Sequence, residues 1–254
     1  MRVDAGAYLG AWPFRPLEGT PGRLQAMMRQ MDLTHAVVSP LNGLFHASPE
    51  EANRVLLRRL RGRANLWGAP VVNLGLADAA DQIAALALDP RVRAVRLAPG
   101  FHAYPVSELR PALALLAELG LTAVIQLRLQ DERSQPRISF VSPVAIAEAI
   151  AAAAATPAAR VVLAAARSGE IAAQAEAIRA RAGLWLEISH LDGVDCLQQA
   201  CGAVGAERLL FSTCWPFFYA RAARLKVEGA GLSPEDQARV MGGNVVDAFA
   251  LPVG

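Results

Sequence analysis

A thiol and several ionisable side chains follow apolar, strand-like segments of this sequence, where parallel α/β proteins place reactive groups. The segment LLFSTCWPFF, residues 209–218, passes from an apolar run through two small polar residues to Cys214. Glu187 and His190 end a similar segment, and His102 follows another. Histidine can act as an acid or base near neutral pH, and a buried carboxylate can keep a proton and serve as a general acid. The candidate catalytic residues are therefore His102, Glu187, His190 and Cys214.

Cys214 has two interpretations that the sequence leaves open. As a nucleophile it would need a thiol pKa lowered by a neighbouring cation, or by the N-terminus of a helix beginning near Pro216. As a packing residue it would behave as a small apolar side chain. We favour the packing role and expect slow reaction of this thiol with alkylating reagents.

Arginines form a second group of candidates. Arg96 interrupts the apolar segment AVRLA, so its charge must be paired or face a polar cavity. The segment QLRLQDERSQ, residues 126–135, is dense in charge and is either an ion-pair network that holds a long loop or a guanidinium clamp for a carboxylate or phosphate. The predicted substrate-binding residues are Arg96, Tyr104, Gln126, Arg128, Asp131 and Arg133.

Short β-rich segments alternate with helical patterns along the whole chain. Most of the former are apolar on both faces, which indicates a parallel sheet covered by helices. The predicted strands are 2–6, 35–39, 67–74, 93–98, 121–127, 160–165, 184–189 and 208–213. The predicted helices are 21–31, 48–60, 78–88, 107–119, 143–155, 169–182, 193–204, 216–228 and 232–244, the second capped by Ser48 and the last by Ser233, with a stop at Gly242 and Gly243.

Eight strand–helix units in 254 residues predict a (β/α)8 TIM barrel, with residues 1–254 as a single domain. A doubly wound open sheet is the alternative, but it usually requires a glycine-rich phosphate turn after the first strand, and DAGAYLG does not match that pattern. In a barrel, the C-terminal strand ends would bring Arg96, His102, Arg128 and Glu187 to one cavity.

Composition limits the classes of partner. Apolar residues make up 54% of the chain and charged residues 19%, as in a folded protein, and the net charge of +2 gives no reason to expect nucleic acid or an anionic membrane. The first residues show no secretory signal, and the three cysteines form no Cys-x-x-Cys pair, so we expect a cytoplasmic protein with reduced thiols. The pattern leaves homo-oligomerisation open.

The sequence resembles the amidohydrolase-related family of metal-dependent TIM-barrel hydrolases, from VDAGAYLG through LLFSTCWPFF to MGGNVVDAFAL. The family's metal site combines Asp-x-His-x-His after the first strand, a histidine after each of the fifth and sixth strands, and an aspartate after the eighth. The residues that stand at the histidine and aspartate positions here are Gly6, Tyr8, Gln126, Ala165 and Cys214. Because a catalytic zinc needs about three protein ligands, the resemblance implies a degenerate branch without a metal or another cofactor.

Two functions of different classes follow from these residues. The first is a metal-independent hydrolase, or a lyase or isomerase, that acts on a small carboxylate-bearing molecule. The second is a non-catalytic barrel that binds a metabolite or a partner protein, with no nucleophile and base within hydrogen-bond reach. The polar and ionisable residues that persist at the strand ends favour the enzyme.

Overall fold

All strands but the two-residue strand Glu18–Gly19 overlap the eight predicted segments. The computed structural model describes residues 1–130, 135 and 140–252. The strands in this part of the chain are β1 (Val3–Ala11), β2 (Glu18–Gly19), β3 (His35–Pro40), β4 (Leu66–Gly68), β5 (Val71–Val72), β6 (Ala94–Leu97), β7 (Thr122–Gln126), β8 (Arg160–Ala164), β9 (Leu184–Glu187) and β10 (Leu209–Leu210).

These strands form two sheets, in the orders β2-β1-β3-β4 and β10-β9-β8-β7-β6-β5. Within each sheet the barrel strands pair in parallel, and β2 adds an antiparallel hairpin to the extended end of β1. The two sheets meet where the backbone N–H of Ala5 donates to the carbonyl of Phe211, 2.8 Å away, just after β10. The fold is the (β/α)8 TIM barrel, which confirms the predicted fold class.

The predicted strand 67–74 consists of β4 and β5, separated at Pro70. Proline has no backbone N–H to donate to a ladder, so the strand is interrupted there. Pairing nevertheless continues on both sides, because Ala69 N donates to the Val38 carbonyl and Arg96 N donates to the Pro70 carbonyl. The two pieces together make the third barrel strand.

Helices connect and cover the strands. In the described residues they are α1 (Pro21–Gln30), α2 (Glu50–Leu60), α3 (Ala79–Ala87), α4 (Pro99–His102), α5 (Leu109–Glu118), α6 (Ile146–Ala154), α7 (Ser168–Ala173), α8 (Ala175–Ala180), α9 (Cys196–Val204), α10 (Ala220–Glu228), α11 (Pro234–Ala238) and α12 (Asn244–Phe249). None of these helices is both long enough and apolar enough to cross a membrane.

Three helix predictions were wrong in detail. Ser48 does not cap α2, whose N-cap is Pro49 without a side-chain hydrogen bond, whereas the Ser233 hydroxyl accepts from Asp236 N as predicted. The Gly242–Gly243 pair does not end the chain's helical path, which passes through a wide turn into α12. The helix expected from residue 216 begins at Ala220 because Trp215–Phe218 form an irregular loop.

Alternation along the strands decides which side chains enter the barrel. Val124 and Val162 point inward and pack with Phe249 of α12, which fills the N-terminal end of the barrel, while Ala123 and Val161 pack outward against helices. Two residues further along β7, the same inward face presents Gln126. An irregular register between Asp4 and Ala7 in β1 changes the alternation, so that Tyr8 also joins the interior.

Candidate active site

A buried guanidinium lies at the centre of the barrel's C-terminal end. Arg96 is 2% exposed, and its Nε donates to Ser39 Oγ at 2.7 Å. A terminal guanidinium nitrogen donates to Gln126 Oε1, which also accepts from the Tyr8 hydroxyl at 2.8 Å. The guanidinium carbon stands 4.8 Å from the centroid of the Tyr8 ring. Four inward residues from β1, β3, β6 and β7 thus form one hydrogen-bonded set, named here the Arg96 cluster.

Two carboxylates lie deep in the same end of the barrel. Asp4 is fully buried and accepts from Gly6 N and Thr213 N, both at 3.0 Å, and from the Thr213 hydroxyl at 2.5 Å. Burial raises the pKa of Asp4 to about 6, although these hydrogen bonds oppose the shift. Glu187 Oε1 accepts from Ala165 N and from the Ser189 hydroxyl, each at 2.6 Å.

Glu187, Ser189 and His190 form a hydrogen-bonded chain. Because the Ser189 hydroxyl donates its single proton to Glu187, it must accept from Nδ1–H of His190, 2.8 Å away. The other ring nitrogen, Nε2, is buried and has no hydrogen-bond partner among the described residues. Burial lowers the pKa of His190 by more than the nearby Leu129 carbonyl raises it, so the neutral imidazole with a lone pair on Nε2 predominates at pH 7.

His190 opens onto a pocket of ≈ 840 Å³ at the ends of β8, β9 and β10, named here the His190 pocket. Lys226 of α10 is in its wall and donates to the carbonyls of Ile188 and Leu191, at 2.9 and 2.5 Å, which fixes the turn that carries His190. The lining residues are Arg167, Ser189, His190, Leu191, Asp192, Thr213, Phe217, Phe218, Tyr219, Ala222, Ala223 and Lys226. Its size and its mixture of aromatic and charged groups are those of a small-molecule pocket.

Aromatic rings cover the axis of the barrel above the Arg96 cluster. Trp12 is 5% exposed and makes edge-to-face contacts with Phe14, Phe45 and Phe217, at centroid distances of 5.6, 4.8 and 4.8 Å. Phe217 also contacts Tyr8 edge-on at 6.0 Å. These rings come from loops after β1, β3 and β10. The described structure therefore opens to solvent beside the axis, at the His190 pocket.

Cys214 lies between these features, 3% exposed, with a positive φ of 49°. Burial raises the pKa of its thiol, and the negative charge of Glu187 adds to the shift, whereas Arg96 opposes it. The helix dipole expected near Pro216 is not beside it, since α10 begins at Ala220. The environment is that of an inert packing residue more than of an activated nucleophile.

The predicted residues do not share one cavity. His102 lies on α4, where its Nε2 donates to the Gly43 carbonyl at 3.0 Å, and its ring stacks on Tyr104 at 6.4 Å. Neither side chain lines the His190 pocket. His102 therefore does not join Arg96, Arg128 and Glu187 in one cavity as expected, because the β6 loop turns it towards the segment after β3.

Arg128 is held by a carboxylate of the chain itself. Its two terminal nitrogens donate to the two carboxylate oxygens of Glu170, at 2.8 and 2.5 Å, and one also donates to the Ala165 carbonyl at 2.6 Å. This fork-to-fork pair joins the β7 loop to α7, as in the ion-pair interpretation of the loop. Asp131 and Arg133, the other predicted binding residues of that loop, lie outside the described residues.

Several residues of the site carried no predicted role. Ser189 lies between Glu187 and His190 in the segment LEISH, and its position between two predicted catalytic residues could have indicated its role. Ser39, Thr213 and Lys226 contribute through contacts that join distant parts of the chain, such as the 57 positions between Ser39 and Arg96. Sequence motifs of a few residues cannot indicate partners that are so far apart in the chain.

The residues present do not fit a family-type metal site. Across residues 1–130, 135 and 140–252, no group of three histidine, cysteine, aspartate or glutamate side chains is arranged to hold a metal ion. Tyr8 and Gln126, at two of the histidine positions, are engaged with Arg96. A Cβ at Gly6 would lie only 2.8 Å from Ser212 Oγ and 3.4 Å from Glu187 Oε2, so a larger side chain would not fit without rearrangement.

Comparison with known proteins identifies the family and the fold. A family model described as amidohydrolase matches residues 6–251. The chain matches no curated protein in sequence.

Several solved structures share the fold. They include 5-carboxyvanillate decarboxylase from Sphingomonas paucimobilis (TM-score 0.77, 15% identity, 98% of this chain and 99% of that one). A 2,6-dihydroxybenzoate decarboxylase from Rhizobium aligns over 100% of both chains (TM-score 0.75, 16% identity). A zinc-bound amidohydrolase from Burkholderia multivorans aligns over 99% of this chain and 100% of that one (TM-score 0.72, 19% identity). At these identities the likeness shows the fold alone.

Proposed function

The chain belongs to the amidohydrolase family, and from that premise we propose that it is a metal-independent enzyme, of the hydrolase type, acting on a small carboxylate-bearing molecule in the His190 pocket. The hydrogen-bonded chain Glu187–Ser189–His190 carries the proposal. It is a base held in one tautomer by a hydroxyl that is itself held by a carboxylate. Such an arrangement is characteristic of general acid–base catalysis.

The proposed chemistry is proton transfer at His190 Nε2. Since Nε2 is buried in this structure, the proposal requires the pocket wall to move enough to admit a water molecule to it. Nε2 accepts a proton from a water molecule as the water oxygen adds to the carbonyl carbon of an ester, lactone or amide. The bond to the leaving group then breaks, and the same proton passes from Nε2 to the departing oxygen or nitrogen. The imidazolium formed in between keeps Nδ1–H on Ser189, whose hydroxyl remains on Glu187.

The wall of the pocket supports an anionic ligand. Arg167 and Lys226 bring two positive charges to it against the one negative charge of Asp192, and three aromatic residues offer apolar ring surface. A positive field in a partly enclosed pocket favours a carboxylate over a neutral analogue. The two structurally similar decarboxylases, which are named for aromatic carboxylates, point to the same class of ligand.

Metal independence is part of the proposal and rests on the ligand set. The positions that the family resemblance assigns to metal ligands hold residues that bind one another or have no donor atom, as described for Gly6, Tyr8 and Gln126. A residual metal site would need about three donors.

The test is turnover by chelator-treated protein on panels of lactones, amides and aromatic carboxylates, with carbon dioxide release measured for the last. His190→Gln should reduce kcat by roughly 10²–10⁴-fold while ligand binding by calorimetry remains. The matched control is His46→Gln, since His46 is exposed on another loop. Because burial lowers the pKa of His190, the acidic limb of the rate profile should lie below the usual imidazole value.

Three results would each contradict one part of this proposal. Binding of carboxylates without turnover in any panel would favour the non-catalytic barrel. Equal activity of His190→Gln and wild type would remove His190 from the mechanism. An absence of binding to any carboxylate would contradict the assigned ligand class.

A further inference from the structure

Arg96 is a buried cation whose partners are all neutral. Its nitrogens donate to the Ser39 hydroxyl and the Gln126 amide oxygen, and its plane faces the Tyr8 ring. No ion pair in the described part of the chain involves it. A buried charge without an ion-pair partner is costly unless neighbouring groups present negative density to it. The arrangement around Arg96 does so with a hydroxyl, an amide oxygen and a ring face.

Two partners of Arg96 occupy positions where the family has metal-binding histidines. Tyr8 and Gln126 occupy the second histidine position of the first strand and the histidine position of the fifth strand in the metal-binding pattern described above. Both now direct electron density at the guanidinium, through the ring face and Oε1. The residues that would surround a divalent ion therefore surround an organic cation supplied by β6.

We propose that the Arg96 guanidinium is the resident cation of this barrel and takes the place of the metal ion. A divalent ion in the same shell would stand next to a like charge in a medium of low dielectric constant, which strongly disfavours both together. Gly6 is consistent with the assignment, because a Cβ there would lie 2.8 Å from Ser212 Oγ and a ligand side chain would require that hydroxyl to move. The replacement is thus built into strands β1, β6 and β7.

This assignment is independent of the ligand proposed for the His190 pocket. Arg96 lies beneath the aromatic rings on the axis and does not line that pocket. A failure of the carboxylate screen would leave the assignment standing. A failure of the assignment would leave the role of His190 to be decided by the His190→Gln variant.

The experiment combines metal analysis with thermal unfolding of the full-length protein. Wild-type protein should carry substoichiometric zinc and manganese by mass spectrometry, and neither chelator nor added Zn²⁺ or Mn²⁺ should change its Tm. Arg96→Gln should lower the Tm by roughly 5 °C or more, because Tyr8 and Gln126 lose their cation. Arg96→Lys keeps the charge but not the forked geometry of the guanidinium, so its Tm should lie between those of wild type and Arg96→Gln.

The matched control is Arg93→Gln, since Arg93 also lies over an aromatic ring, 5.1 Å from the Trp67 centroid, but is partly exposed. It should change the Tm less than Arg96→Gln. In a double-mutant cycle, the variant with both Arg96→Gln and Tyr8→Leu should lose less stability than the sum of the two single losses, because both changes remove the same contact. Stoichiometric metal whose removal lowers the Tm, or an Arg96→Gln protein as stable as wild type, would overturn the assignment.

Discussion

Cys214 has a reactive side chain, but its surroundings favour a thiol that keeps its proton. Its side chain is 3% exposed, and both burial and Glu187 raise the thiol pKa. Its φ of 49° belongs to a region that favours glycine. The side chain therefore fills space at the cost of backbone strain.

We expect Cys214→Ala to lower the free energy of unfolding by about 1–2 kcal/mol through the small cavity it creates. Cys214→Gly should be no worse than Cys214→Ala, because relief at the positive φ offsets the lost Cβ contacts. Denaturant unfolding measures both.

Alkylation at pH 7 provides an independent check on the same residue. Cys214 should react more slowly than the half-buried Cys201, because its thiolate is scarce and enclosed. Rapid labelling of Cys214 that a carboxylate prevents would instead make it the nucleophile.

At the scale of the elements, Arg128 joins the β7 loop to α7 and does not serve as the predicted anion clamp. Arg128 has the fork geometry of an anion clamp, yet its side chain is 4% exposed and paired with Glu170 of α7. The sequence indicates a charged loop after β7 but cannot identify Glu170, 42 positions away, as the partner. Arg128 thus holds the β7 loop on α7.

We expect Arg128→Met to lower the free energy of unfolding by about 2–4 kcal/mol, since it leaves Glu170 without its partner at a partly buried site. Arg54→Met is the control, because the Arg54–Glu51 pair is exposed at 61% and 62% and should contribute within about 0.5 kcal/mol. Equal stability of Arg128→Met and wild type would mean that the guanidinium is available to a ligand after all.

The predictability of the elements has a physical basis. Parallel strands buried on both faces give continuous apolar runs, so β3, β7 and β8 lie where the sequence places them. Boundaries were less predictable, as the break at Pro70 and the late start of α10 show. The site was predictable as a set of strand ends but not as a network, because Tyr8 and Gln126 are 118 positions apart.

At the scale of the whole molecule, Asp4 lies at the junction that closes the barrel. Its carboxylate accepts hydrogen bonds from the backbone N–H and the hydroxyl of Thr213, next to the backbone hydrogen bond between Ala5 and Phe211. These contacts join the first strand to the last. The junction therefore contains a group whose pKa burial raises to about 6.

Asp4→Asn should change the dependence of stability on pH. A carboxyl with a raised folded pKa binds its proton more tightly in the folded state, so its contribution is complete below about pH 4 and is lost as pH rises through 6. Wild-type stability relative to Asp4→Asn should fall by about 2–3 kcal/mol across that window. Unfolding from pH 4 to 7 measures it, and parallel curves for the two proteins would contradict the assignment.

The aromatic cover of the axis has an optical consequence. Trp12 is enclosed by Phe14, Phe45 and Phe217, and its indole Nε1 has no hydrogen-bond partner among the described residues. An indole in such surroundings emits at shorter wavelength than one in water, and any molecule that separates these rings would shift its fluorescence to the red. Comparison with Trp12→Phe isolates that signal from the other three tryptophans, so the protein contains its own reporter for opening of the barrel axis.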